Sequence, residues 1–235
     1  NNVSDAGLIG GGSLPRPGEV SLAHHGVLFL DEMPEFPRSV LETLRQPLED
    51  GDVSVTRSLV TVRYPSKLTL VASMNPCPCG YLGDPQHACA CTPQQVQQYR
   101  SRISGPLLDR IDLHVDVPAV RYAELRDVDS GESTAVVRAR VSEVRARQRR
   151  RFADARLHCN AQMQPRHIRE HCVIDSAGHA LMERVVDRLG MSARAYGRIL
   201  KVARTIADLA GSDRIDSAHV AEAVQYRQLD RRRAA

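Results

Sequence analysis

Gly26-Val27-Leu28-Phe29-Leu30-Asp31-Glu32-Met33 is the stretch on which the reading of this chain turns. Val27 to Leu30 is a short apolar run that starts after Gly26, the pattern of a strand buried on both faces of a parallel sheet. Two adjacent carboxylates, Asp31 and Glu32, follow at once. Open α/β sheets gather ligands at the carboxyl ends of their strands, so the pair stands where a ligand is expected. An Asp placed there can hold a Mg²⁺ that bridges phosphates, while the neighbouring Glu polarises an attacking water. That is the Walker B arrangement of a nucleotide hydrolase. The other reading is a buried strand that ends in a solvated turn, and residues elsewhere decide between them.

Working outward, residues 1–19 are rich in Gly, Ser and Pro and read as a loop. After Pro34-Glu35-Phe36-Pro37 a helix is expected over residues 38–49, with Val40, Leu41, Leu44 and Leu48 on one face and Gly51 stopping it. Residues 53–56 and 60–64 alternate at a period of two and predict a hairpin. Residues 68–72 form a second apolar strand ending in Ser73-Met74-Asn75, and Ile111 to Val117 is a third apolar stretch. From about Ser133 the pattern turns helical. Leu181, Val185 and Leu189 line one helix, and Ala195, Ile199, Val202, Ile206 and Leu209 line the next. Asp175 and Asp216 read as N-caps, Gly190 and Gly211 as stops. The expected layout is an α/β part over 1–120, a connecting arginine-rich helix over 121–159 and an all-helical part over 160–235.

The chain has 235 residues, no Trp and a net charge of +4, so its core must be built from Leu, Val, Ile and Ala. Of 32 basic residues only Lys67 and Lys201 are lysine. That bias reflects either a GC-rich genome or a need to bind anions. No stretch is long and apolar enough to cross a bilayer and no signal peptide is evident, so a cytoplasmic location is the default. Most of the six cysteines cluster, which argues against a secreted disulfide scaffold.

Three positions add weight to Asp31-Glu32. Asn75 closes the second apolar strand, where an amide can reach a γ-phosphate or orient water; alone, Asn before Pro is a turn residue. Arg110 sits on the short turn before the third apolar stretch, from which it can project into a neighbour's nucleotide site as an arginine finger. The plainer reading is an Asp109–Arg110–Asp112 surface cluster, and Arg102 is a second candidate for the finger. Arg194 opens the most regular helix, an end the helix dipole makes unfavourable for a cation unless an anion such as phosphate meets it.

These elements, in this order, resemble the AAA+ ATPases, and more closely the magnesium-chelatase-related ComM/YifB family. The matching runs are Ile9-Gly10-Gly11-Gly12-Ser13, Pro15-Arg16-Pro17-Gly18-Glu19, Gly26 to Glu32, Met74-Asn75-Pro76-Cys77-Pro78-Cys79-Gly80, Ser104 to Asp112, Ser192 to Tyr196 and Ala203 to Leu209. The resemblance implies a partial AAA+ parallel-sheet core with a pre-sensor-1 hairpin, followed by an all-helical lid. It makes Asp31 and Glu32 Walker B, Asn75 sensor 1, Arg110 a finger acting in trans and Arg194 sensor 2, with ATP and Mg²⁺ as cofactors. It further implies a homo-oligomeric ring, a hexamer, coupling ATP hydrolysis to branch migration on DNA during uptake and recombination. Arg57 and Arg63 on the hairpin are then candidate DNA contacts.

One part of the pattern is missing. A P-loop needs Gly-Lys-Ser/Thr, but Lys67 follows Ser66 and Lys201 follows Leu200. With no Met at Asn1, the chain is read as the carboxy-terminal portion of a longer ATPase, inactive alone. Two other readings stand beside the DNA motor: a magnesium-chelatase-type motor subunit that remodels a protein partner, and a non-catalytic binding module. Cys77-x-Cys79 and Cys89-x-Cys91 offer four thiolates for a tetrahedral structural Zn²⁺, with His87 as a substitute ligand. Free thiols or a redox-labile loop are the alternatives. Cys159 and Cys172 read as isolated buried thiols. The arginine-studded helix over 138–151 could lie on a phosphate backbone but is read as a solvated face.

Overall fold

The computed structural model describes residues 4–12, 15–57, 60–118, 120, 131–227 and 229, apart from the side chains at 57, 60 and 189. The chain divides into two compact units, residues 1–111 and 112–235. Among the described residues no helix is long and apolar enough to cross a membrane.

The first unit is mixed α/β. It opens with α1 (Asp5–Ile9), where a loop was expected. The Ser4 hydroxyl accepts from the Gly7 N–H at 3.2 Å and Leu8 is buried, so one cap and one apolar anchor fold a segment whose glycines argued against it. Two short strands, β1 (Gly10–Gly11) and β2 (Arg16–Pro17), then pair antiparallel. A Cβ on Gly18 would lie 2.4 Å from the Gly10 nitrogen, so this crossing admits no side chain there. The Tyr64 hydroxyl donates to the Pro15 carbonyl at 2.9 Å and ties this segment to the hairpin.

After α2 (Glu19–Leu22) comes β3 (Val27–Leu30). It runs parallel to β6 (Thr69–Ala72) in the register Val27↔Thr69 to Leu30↔Ala72. Between these strands the chain forms α3 (Arg38–Thr43), α4 (Arg45–Asp50) and a hairpin of β4 (Asp52–Arg57) and β5 (Val60–Pro65). The single helix expected over 38–49 is split at Leu44 because Pro47 has no N–H for the Thr43 carbonyl. Gly51 ends α4 in the left-handed conformation at φ 74°. One expectation for β3 fails. Leu28 and Leu30 are buried, but Val27 and Phe29 are 63% and 59% exposed. With two strands in the sheet, no described element covers the outer face.

The segment 76–92 leads to α5 (Pro93–Arg100), which starts with a capping box between Thr92 and Gln95, and then to α6 (Gly105–Leu108), capped by Ser104. The stretch expected to form a third strand, Ile111 to Val117, has no strand pairing among the described residues. Leu113, Val115 and Val117 point outward, while the His114 N–H donates to the Tyr226 carbonyl at 2.7 Å.

The second unit is helical: α7 (Thr134–Arg151), α8 (Pro165–His171), α9 (Ser176–Leu189), α10 (Ala193–Leu209) and α11 (Ser217–Gln225). Ile199, Ala203 and Ala207 of α10 pack with Met163, Met182, Ile215 and Val220, and the alanines let the neighbouring helices approach closely. Under this core lies a polar centre. The Asp208 carboxylate, 0% exposed, takes a bidentate pair from Arg151, a 2.8 Å bond from the Asn160 amide and a 3.2 Å contact from the Arg204 Nε. Arg204 also donates to the carbonyls of Ser212 and Asp213. Cys172 is buried and its thiol is pushed up to about 11 by desolvation, whereas Cys159 is only half-buried, contrary to expectation.

Candidate nucleotide site

Asp31 leaves β3 at its carboxyl end, and the Leu30↔Ala72 register brings Ser73, the residue just after β6, beside it. The Ser73 hydroxyl donates to Asp31 Oδ1 and accepts from the Glu32 N–H at 3.0 Å. The same N–H lies 3.1 Å from Asp31 Oδ1. The Ser73 backbone closes the turn, its N–H donating to the Leu30 carbonyl at 3.0 Å and its carbonyl accepting from Met33 at 2.9 Å. Glu32 adopts a left-handed conformation, φ 51° and ψ 47°, which costs a non-glycine residue about 1–2 kcal/mol. Such strain concentrates where a side chain must be aimed. Both carboxylates are exposed. Hard carboxylate oxygens at a strand end suit Mg²⁺, which takes one or two carboxylates and completes its shell with water and phosphate.

Asn75 lies two residues beyond Ser73 and is exposed. Helix α5 holds the backbone next to it: Arg100 donates twice to the Pro76 carbonyl, at 3.1 and 3.3 Å, and the Tyr99 hydroxyl faces the Asn75 N–H. Tyr99 is buried, and desolvation pushes its hydroxyl above the usual range. Arg102 donates to the Pro34 carbonyl at 3.0 Å and pairs with Glu35 at 3.1 Å, so it touches the turn that follows Asp31-Glu32 in its own chain.

Arg110 is placed differently from an edge residue. Its side chain is 6% exposed, paired with Glu49 and donating to the Pro106 carbonyl at 2.6 Å, in the wall of a 500 Å³ cleft also lined by Glu42 and Arg45. Arg194 is an exposed residue of the first turn of α10, which Ser192 caps, and belongs to the other unit.

On the hairpin, Arg63 pairs with Asp52 across the strands and stays 71% exposed. The Asp52 carboxyl is held below its usual range by that hydrogen bond and charge. The Arg57 side chain lies outside the described residues. On α7, Arg140 pairs with Glu132 and Arg147 with Asp213, while Arg151 serves Asp208. The sulfurs of Cys77, Cys79, Cys89 and Cys91 converge within 4.8 Å of one another. His87 is outside that group and pairs with Asp84 at 3.4 Å.

Sequence reading missed Ser73, Tyr99 and Arg100. Only Ser73 carried a signal: a hydroxyl residue at the same step past its strand as Asp31 is past β3.

A two-stranded parallel core with a hairpin inserted between its strands, followed by a helical unit, is the layout of a partial AAA+ ATPase core and its lid. The chain belongs to the magnesium chelatase family: residues 1–125 match the model for magnesium chelatase subunit ChlI, and residues 131–227 match its C-terminal model. It is 44% identical over 233 residues to competence protein ComM of Haemophilus influenzae, covering 98% of this chain and 44% of that protein. It is also 44% identical to YifB of Escherichia coli K12, at 98% and 45% coverage. The magnesium-chelatase subunit ChlI of Synechocystis is 26% identical over 111 residues, 47% of this chain and 25% of that subunit. The chain therefore spans less than half the length of its ComM and YifB relatives.

Proposed function

We propose that this chain is the metal-and-water half of an ATP site, with its helical lid, in a ring-forming AAA+ motor that remodels DNA. The observation that carries this reading is Asp31 held by Ser73 at the end of β3, with Glu32 beside it in a strained, aimed conformation. Bound Mg²⁺ would neutralise phosphate charge and orient the γ-phosphate of ATP. Asp31 would hold the ion, Glu32 would take a proton from water at its carboxylate, and Asn75 would orient that water or the phosphate. Arg194, sensor 2 by the family resemblance, is a further candidate nucleotide contact. The finger in trans is Arg110 once released from Glu49, with Arg102 as the second candidate. The Gly-Lys-Ser/Thr loop that cradles phosphates is absent from these 235 residues. The reading places it in the part of the relatives that this chain does not match.

The DNA reading draws on the competence name of one relative and on the hairpin arginines. Arg63 is itself exposed and committed only to a surface ion pair, a kind of contact that contributes little, so a phosphate can take it over. The test is a salt titration of DNA binding by the 235-residue chain. Arg57→Ala and Arg63→Ala are each expected to weaken binding to all sequences alike and to lower the log–log salt slope by about 1. Unchanged affinity and slope in the double variant would reject the hairpin as the DNA contact. Binding to a protein partner but not to DNA would favour a chelatase-type motor.

A further inference from the structure

The segment 76–92 poses a folding problem of its own. It contains no helix or strand, and Cys77 is its only buried residue. Nothing apolar inside it supplies a core. What converges instead is sulfur: Cys77 Sγ lies 3.4 Å from Cys79 Sγ and 3.7 Å from Cys89 Sγ, Cys79 and Cys89 are 3.6 Å apart, and Cys91 completes the group. All four are free thiols, well outside disulfide bonding distance. A zinc ion with sulfurs at about 2.3 Å in a tetrahedron sets them about 3.8 Å apart. The observed spacings fit one ion, and are too close for an iron–sulfur cluster, whose thiolates sit around several metal atoms.

The backbone is arranged for the same purpose. Gly80 takes φ 84°, which a side chain would strain although it would meet no atom, and its N–H donates to the Cys77 carbonyl at 3.1 Å. That turn brings amides near sulfur: the N–H groups of Tyr81 and Ala90 face Cys79, that of Cys79 faces Cys91 and that of Cys91 faces Cys89. Amides donating to sulfur stabilise thiolates, as the second shell of a metal centre does.

We propose that Cys77, Cys79, Cys89 and Cys91 bind one zinc ion as a tetrathiolate, and that this ion is the core of segment 76–92. One ligand pair lies just after Asn75-Pro76 and the other just before α5, whose Tyr99 faces Asn75 and whose Arg100 holds Pro76. The ion would thus close the loop 77–91, which begins two residues after Asn75, the residue assigned to face nucleotide. The site rests on the sulfur geometry and stands whether or not the nucleotide reading does.

The test uses the 235-residue chain purified without chelator. One zinc per chain is expected, with the four cluster thiols protected from a thiol reagent until a strong chelator is added, while Cys159 reacts throughout and the buried Cys172 stays slow with or without metal. Cobalt added to the reduced, metal-free chain should give the visible bands of a tetrahedral tetrathiolate, saturating at one equivalent. This readout needs no variant to fold. Cys89→Ser with Cys91→Ser should abolish both signals, whereas Cys159→Ser should change neither. Chain free of metal with all four cluster thiols reactive, or a Cys77–Cys79 disulfide in protein isolated under reducing conditions, would overturn the site. One equivalent of iron would overturn the assignment to zinc.

Discussion

Glu32→Gln is expected to lower ATP turnover about 10³-fold, with nucleotide affinity unchanged, in a polypeptide that joins this chain to the unmatched part of the ComM relative. The glutamine keeps the size and the left-handed backbone of Glu32 but cannot accept a proton from water, and that step contributes typically 10²–10⁴-fold. Asp31→Ala should give a comparable loss by another route. It removes the proposed metal ligand, so activity should rise partly with added Mg²⁺, which it should not do in Glu32→Gln. Ser73→Ala tests the arrangement between them. It leaves both carboxylates in place but takes one hydrogen bond from each residue, so it should raise the Mg²⁺ requirement more than it lowers the maximal rate.

Asp208→Ala is expected to destabilise the helical unit by about 3–5 kcal/mol, the usual cost of leaving a buried ion pair half-made. Arg204 has a side chain only 3% exposed and Arg151 one 14% exposed, and both would lose their counter-charge. That is a large share of the roughly 5–15 kcal/mol that holds an ordinary domain, so urea unfolding followed by circular dichroism should show the midpoint shifted far toward low urea. Substitution of the exposed Glu183 should leave the midpoint where it was. Burial acts to raise the Asp208 carboxyl, but Arg151, Asn160 and Arg204 outweigh it and hold the group below its usual 3.8. A carboxyl lowered on folding stabilises the fold above its unfolded value and loses that contribution as pH falls through the folded one. Wild-type stability should therefore not change from this group between pH 7 and about 4, then decline below about 4. The gap to Asp208→Ala should narrow over the same acid range.

What the sequence made legible was local. Asp175 and Asp216 cap their helices as their positions predicted, accepting from Gly178 at 2.6 Å and from Ala218 and His219 at 3.0 and 3.1 Å. Gly190 and Gly211 take positive φ just past helix ends. The period-two runs made the hairpin, and the two apolar strands pair in parallel. What stayed hidden depends on a partner distant in sequence. Arg110 and Glu49 are 61 positions apart, so no spacing rule links them. The outward face of β3 is apolar in sequence because Val27 and Phe29 are, but composition cannot say whether anything covers it. Ile111 to Val117 has the residues of a strand, but among the described residues no strand pairs with it. Ser73 stands one step past its strand, as Asp31 does past β3, but which residue it bonds became visible only through the strand register.

The central claim is that Asp31 and Glu32 are half of an ATP site whose phosphate-holding half lies outside this chain. Measuring ATP hydrolysis by the 235-residue chain alone, and by the polypeptide that joins it to the unmatched part of the ComM relative, tests this most directly. No turnover is predicted from the chain alone, and turnover that depends on Mg²⁺ and Glu32 is predicted from the joined protein. Hydrolysis by the chain alone, or a joined protein that turns over equally well with Glu32→Gln, would contradict it.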